Sequence, residues 1–238
     1  MCDQCLGIGM KRRAFLGLAG MAAAAAGLGL APRPAAAAPT GLTADQALAK
    51  LKDGNARFLA QPQVCAADLS GQRSSVAGGQ APWATVLSCA DSRVPPELLF
   101  GGLGLGELFV CRNAGNMIDT DVLGTMEYGA EHLGSPLIVV MGHQRCGAVA
   151  AACDVVTKKA KLPGSIGPMV EPILPAVKAA QKAGATDLVD ATVHESARRT
   201  AAKIPGRSKI LSHLVHEGKV KIVAAYYALD TGKVEFLA

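Results

Sequence analysis

The sequence predicts an α/β fold: a central, mostly parallel β-sheet flanked by helices. Three observations carry that expectation. The runs Ala84–Ser88, Glu107–Arg112 and Pro136–Met141 are strand-like and alternate with longer segments of helical period, the order that builds parallel strands joined by crossover helices. The last of these runs is unbroken and apolar, with Ile138, Val139 and Val140 at its centre, as a strand covered on both faces requires. Half of the 238 residues are hydrophobic and only 4% are aromatic, which suits an aliphatic core.

The elements follow in order. Thr43 to Ala60 reads as a helix, with Thr43 and Gln46 as a capping box and Leu48, Leu51 and Phe58 at helical spacing. Ala84 to Ser88 is a short buried strand ending at Cys89, and Glu107 to Arg112 is a second strand. Asp121 to Leu133 is helical, and Gly134 suits its stop. Pro136 to Met141 leads into Gly142-His143, and a helix starts near Cys146. Helices near 169–183 and 187–203 flank Gly184, and Ser208 to Glu217 forms the last helix. Lys219 to Ala228 and Lys233 to Leu237 read as strands joined by a turn at Asp230-Thr231-Gly232.

Residues 1–37 stand apart from the domain expected over 38–238. Lys11-Arg12-Arg13-Ala14-Phe15-Leu16 places paired arginines before hydrophobic residues, and the uncharged Ala14 to Ala31 stretch is rich in Ala and Gly. Ala35-Ala36-Ala37 supplies an A-x-A cleavage pattern. The unit resembles a cleavable twin-arginine export signal, with Met10 able to open a compact form of it. A membrane anchor is the alternative, but Ala and Gly make the stretch weakly hydrophobic. The reading therefore expects the twin-arginine translocation machinery as a partner during export, a periplasmic or otherwise exported product, and no stable membrane span after cleavage.

Removing the signal leaves 20 basic and 18 acidic residues and no long basic run, which offers no case for nucleic-acid binding. Five cysteines remain, at 65, 89, 111, 146 and 153. An odd number argues against a simple disulfide framework. The glycines from Gly101 to Gly106 fail the phosphate-loop spacing, and no Walker lysine follows them.

The chemistry gathers in two stretches, Cys89-Ala90-Asp91-Ser92-Arg93 and His143-Gln144-Arg145-Cys146. Thiolate and imidazole are favoured zinc ligands. His143-x-x-Cys146 lets one strand-to-helix turn supply two, and Cys89, at another strand end, supplies a third. Sites in such sheets gather at the carboxyl ends of strands. Three ligands leave one position open for water, as catalytic zinc requires. The same residues also allow a closed structural site with Asp91 as fourth ligand, or a Cys89–Cys146 disulfide.

Together with Glu107-Leu-Phe-Val-Cys-Arg-Asn-Ala-Gly-Asn116, Glu127-Tyr-Gly-Ala-Glu-His-Leu-Gly134 and the tail from Gly218, these stretches resemble the β class of carbonic anhydrases from about Leu42 onward. The resemblance implies one Zn2+ per subunit on Cys89, His143 and Cys146. Zinc-bound hydroxide would attack carbon dioxide and give bicarbonate. Asp91 would orient the hydroxide, and Arg93 would hold Asp91. It also implies a homodimer or higher homo-oligomer, with the N-terminal helix reaching to a partner.

Gln80 lies nine residues before Cys89, where the family carries a glutamine that hydrogen-bonds substrate; a surface loop residue is the other reading. Gly147 either lets backbone approach substrate or suits the helix start. In a closed state of some family members the matching Asp binds zinc. Such members often carry Trp and Gly where this chain has Val86 and Ser88, so an open zinc with Asp91 paired to Arg93 is expected. His194 replaces a common Asn, as either a proton shuttle or a helix-end residue. His132, His213 and His216 are expected on helices without a role. The ligand set leaves carbon disulfide and carbonyl sulfide open as substrates, because both are linear and apolar like carbon dioxide.

Overall fold

Among the described residues, five strands form one sheet in the order β2-β1-β3-β4-β5. They are β1 (Ala84–Cys89), β2 (Leu108–Asn113), β3 (Leu137–His143), β4 (Lys221–Tyr227) and β5 (Val234–Leu237). The first four are parallel, and β5 runs antiparallel to β4. The structure, a computed structural model, describes residues 40–61 and 69–237. The expected export signal and Cys65 lie outside the described residues.

Helix α1 (Ala44–Ala60) opens on the expected capping box: the Gln46 N–H donates to Thr43 Oγ1 at 3.2 Å, and the Thr43 N–H donates to Gln46 Oε1 at 2.8 Å. It lays Ala47 and Leu51 on one sheet face, against Val86, Val139, Met141 and Ala225. Two short helices, α2 (Leu69–Val76) and α3 (Pro96–Leu99), were not expected from the sequence. α2 is largely polar and α3 is only four residues long, so neither carries a helical apolar period. α1 meets the chain leaving α3 so closely that a Cβ on Gly54 would stand 2.1 Å from the Phe100 carbonyl oxygen.

The opposite face packs Leu87, Ile138 and Val140 against α8 (Leu188–Arg207) and α9 (Lys209–His216), through Ala197, Ala201, Ile204, Leu211 and Leu214. Between β2 and β3, α4 (Thr120–Glu127) gives way to a π-helical turn, Tyr128–His132. The sequence reading had expected one continuous helix there. Gly129 in this turn sits directly on Thr85 and Phe109 of the sheet, where a Cβ would stand 2.9 Å from each side chain. The helix expected near 169–183 is also divided, into α6 (Ile166–Val170), a 3₁₀ turn (Glu171–Ile173) and α7 (Leu174–Lys182). Pro172 and Pro175 each remove a backbone donor there.

The register positions the site. β1 and β3 are adjacent and parallel, with Ser88 opposite Met141. Their carboxyl ends therefore lie side by side, placing Cys89 next to Gly142-His143. α5 (Gly147–Lys158) starts four residues later, with Cys146 as its N-cap.

Candidate metal centre

Cys89, His143 and Cys146 converge as the register demands. Their ligand atoms all lie within 4.8 Å of one another, and all three residues are buried. The two sulfurs are 3.9 Å apart. Two thiolates each about 2.3 Å from one tetrahedral zinc would stand about 3.8 Å apart, so the pair already has the spacing that ion needs.

The imidazole is aimed. His143 Nδ1 lies 3.0 Å from the Gln144 carbonyl oxygen. A carbonyl only accepts, so in the neutral ring Nδ1 carries the proton and Nε2 presents its lone pair. Nε2 is buried and has no hydrogen-bond partner. An orphaned buried acceptor is costly, and a cation between the sulfurs and the ring would satisfy it. Two soft sulfurs and one imidazole suit zinc.

The two thiols are within hydrogen-bonding distance, and either can donate. A hydrogen bond from Cys146 pulls the Cys89 pKa down against burial, with lesser help from backbone N–H groups including Gly115. The same bond, with burial, pushes Cys146 up. The two thiols thus push each other's pKa in opposite directions. A divalent ion removes that conflict by stabilising both.

Asp91 and Arg93 sit at the rim. The turn after β1 is closed by Asp91 itself, whose Oδ1 accepts the Arg93 N–H at 3.0 Å and whose carbonyl accepts the Val94 N–H at 3.0 Å. The Arg93 side chain grips the carboxylate as a fork, Nε to Oδ1 at 2.9 Å and Nη2 to Oδ2 at 2.7 Å. This pairing holds the carboxyl well below its ordinary pKa. Oδ2 lies 3.8 Å from His143 Nε2, so the ionised group faces the ligand cluster.

Two supporting residues carried no role in the sequence reading, although both lie in the Glu107–Asn116 stretch. Arg112 donates to the Cys89 carbonyl at 3.0 Å and to the Asp91 carbonyl at 2.6 Å, fixing the turn between ligand and dyad. The Gly115 N–H points at Cys89 Sγ, 3.4 Å away. Gly115 has φ +85, and a Cβ there would meet Ile173 and Ala148 at 3.0 and 3.2 Å.

The other candidates lie as follows. Gly147 is the first residue of α5, and its side faces open space. Gln80 is exposed, in the loop before β1. The Trp83 N–H donates to the Glu107 carbonyl just ahead of the β1–β2 ladder, so the loop that carries Gln80 enters β1 at its amino end, while Cys89 closes its carboxyl end. His194 is not among the ligands; it stacks on Tyr226 at 3.9 Å and contacts the Asp190 carbonyl at 3.0 Å. His213 and His216 lie on α9, and His132 ends the π-helical turn. Cys111 is buried, its thiol pushed up to about 11 by burial and then by Asp119. Cys153 is buried beside Thr192. A groove of about 780 Å³ bordered by Ala44, Pro205 and Lys221 contains none of the ligands, so volume does not mark the chemistry here. No helix among the described residues is long and apolar enough to cross a membrane.

Known proteins are similar to this chain in sequence and in fold. The sequence model of the carbonic anhydrase family matches residues 84–234. Carbonic anhydrase 2 of Mycobacterium tuberculosis is 39% identical over 184 residues, 77% of this chain and 87% of that protein. The carbonic anhydrase of Mycolicibacterium smegmatis is 39% identical over 185 residues, 78% of this chain and 89% of that protein. Among solved structures, the Coccomyxa β-carbonic anhydrase in complex with acetazolamide superposes with a TM-score of 0.61 at 29% identity, covering 80% of this chain and 86% of that one. The β-carbonic anhydrase CcaA gives 0.61 at 27% identity, covering 80% and 91%. By its sequence, its sheet and its Cys-His-Cys cluster, this chain belongs to the β-class carbonic anhydrase family.

Proposed function

We propose that the chain catalyses the reversible hydration of carbon dioxide to bicarbonate and a proton, with one zinc ion per subunit on Cys89, His143 and Cys146 and an Asp91–Arg93 dyad that orients the nucleophile. The observation that carries this reading is the ionised Asp91 carboxylate, held 3.8 Å from the partnerless His143 Nε2 at the rim of a three-donor cluster. A purely structural zinc site has no use for such a dyad. Bound zinc supplies a nucleophile at neutral pH by lowering the pKa of water to about 7.

The chain's own residues supply direction. An ionised carboxylate only accepts hydrogen bonds. Asp91 therefore selects the orientation in which the nucleophile's proton points at Oδ2 and its lone pair at the substrate carbon. Arg93 keeps Asp91 charged and fixed, so the orientation is set before substrate arrives. The open side of Gly147 leaves room for a small linear molecule.

Gln80 enters the reading as a substrate contact supplied by a second copy. In its own chain Gln80 lies in the loop that leads into β1, whereas Cys89 closes the carboxyl end of that strand. Association into a homodimer or larger assembly belongs to the same proposal. So does export: with residues 1–37 as a twin-arginine signal, changing Arg12 and Arg13 to Lys strands the protein in the cytoplasm, and normal periplasmic recovery of that variant rejects the signal.

Stopped-flow hydration by the zinc-loaded mature chain, from neutral to alkaline pH, tests the activity beside Asp91→Asn. Fast hydration that is largely lost in the variant, at equal zinc content, supports the mechanism. No hydration at any pH with stoichiometric zinc rejects it.

A further inference from the structure

The turn that carries two of the three ligands is held in an unfavourable backbone conformation. Arg145, between His143 and Cys146, has φ +54, a left-handed geometry that a bulky L-residue avoids. Asn116 and Lys159 share it, but Asn tolerates this region and Lys159 is the cap after α5. Arg145 has neither excuse. Something outside the turn must hold it.

Asp230, 85 residues further on in the β4–β5 turn, does so. The Arg145 guanidinium binds its carboxylate as a fork, Nη1 to Oδ2 at 2.9 Å and Nη2 to Oδ1 at 2.6 Å. Gln144 adds a reciprocal pair: its Nε2 donates to Asp230 Oδ2 at 2.9 Å, and its Oε1 accepts the Asp230 N–H at 3.1 Å. The Gln144 N–H also donates to the Tyr227 carbonyl at 2.9 Å, one step beyond the β3–β4 ladder.

The β4–β5 turn is itself anchored. Buried Asn55 of α1 donates to the Gly232 carbonyl at 2.9 Å and accepts the Val234 N–H at 2.8 Å. The Gln144 peptide so fixed offers the carbonyl that receives His143 Nδ1.

We infer that Asp230 is a positioning residue for the metal: by clamping Gln144 and Arg145 it holds the His143-x-x-Cys146 turn in its left-handed form and keeps the His143 ring within the three-donor cluster. The inference rests on the zinc reading proposed above. An exposed ion pair adds little stability by itself, and Arg145 and Asp230 are both more than half exposed. The clamp acts through the backbone that it fixes.

That distinction makes the inference testable. Glycine adopts positive φ without strain, so Arg145→Gly should remove the need for the clamp. The mature, zinc-loaded chain and its variants are challenged with pyridylazoresorcinol, and zinc release is followed by colour, with no hydration assay involved. Asp230→Ala is expected to release zinc about tenfold faster than the parent. Arg145→Gly alone should release it at close to the parent rate, and Asp230→Ala combined with Arg145→Gly should do the same.

The visible spectrum of the Co2+-substituted proteins should shift in Asp230→Ala and return in the double variant. If Asp230→Ala does not fold, Arg145→Gly still decides the matter, because fast release from it means that the ion pair, not the backbone, holds the metal. Parent-like release from Asp230→Ala, or no recovery in the double variant, overturns the inference and leaves the hydration reading intact. A parent chain that takes up no zinc overturns both.

Discussion

Arg93 engages both carboxylate oxygens of Asp91, and its own backbone N–H adds a third hydrogen bond to Oδ1. Side chain and turn thus fix one carboxylate twice over, two residues apart in sequence. Lysine carries the same charge as a point and cannot form the fork. Arg93→Lys is therefore expected to lower kcat/KM for carbon dioxide hydration by about tenfold to a hundredfold, with zinc content unchanged. Stopped-flow rates and metal analysis on the same preparation check this. A variant as fast as the parent, or one whose loss tracks lost zinc, contradicts the positioning role.

The three clustered residues could be singled out in the sequence as candidate ligands, and two of them follow a local rule. Cys89 ends an apolar run, His143 ends another, and parallel pairing of neighbouring strands brings the two ends together. The pairing of Asp91 with Arg93 came from the family resemblance, since the residues alone read equally as a turn residue and a solvated charge. What stayed hidden depends on long loops closing. Nothing in the spacing ties Asp230 to Gln144, 86 residues away, or Asn55 to the turn at Gly232, 177 residues away. The division of the helix near 169–183 was marked by Pro172 and Pro175, whose effect apolar period alone does not register. Residue type identified the donors, and tertiary closure supplies their aim.

Gly54 inverts the usual helix rule. In an open helix interior, Gly→Ala is stabilising by about 0.5–1 kcal/mol. At Gly54 the added Cβ would stand 2.1 Å from the Phe100 carbonyl oxygen, and backbone cannot step aside. Gly54→Ala is expected to cost about 3 kcal/mol of stability. Gly124 in α4 has nothing within 4 Å, and Gly124→Ala is expected to raise the melting temperature slightly. Denaturant titration of the two variants checks the contrast; equal effects would mean that α1 does not press on α3 in solution.

Glu107 links stability to pH. Burial pulls its pKa up, but Lys50, the Gly104 N–H and Trp83 together hold it below its ordinary value of 4.5. The donors stand at 2.9, 2.9 and 3.4 Å respectively. A depressed folded pKa contributes stability above the unfolded value and loses it as pH falls through the folded one. The parent should therefore lose an increment on the order of 1 kcal/mol on acidification below about pH 4.5. Glu107→Gln, which starts less stable at pH 7, should lack that increment. Parallel slopes for parent and variant in urea melts across this range would assign the acid sensitivity to other groups.

Gln80 lies in the loop before β1 and Cys89 is the last residue of that strand, and separate substitutions at the two make subunit sharing measurable. Gln80→Ala should hydrate carbon dioxide poorly, and Cys89→Ser should not hydrate it at all. Refolded together, a mixed pair contains one site with both its own Cys89 and an intact Gln80 from the other copy. If half of the pairs are mixed and each has one working site of two, activity recovers to about a quarter of the parent. Neither variant alone gains anything from the same refolding. Recovery at that level places Gln80 at the site of a second copy. No recovery, with mixed assemblies confirmed by mass, returns Gln80 to the surface loop in which it lies.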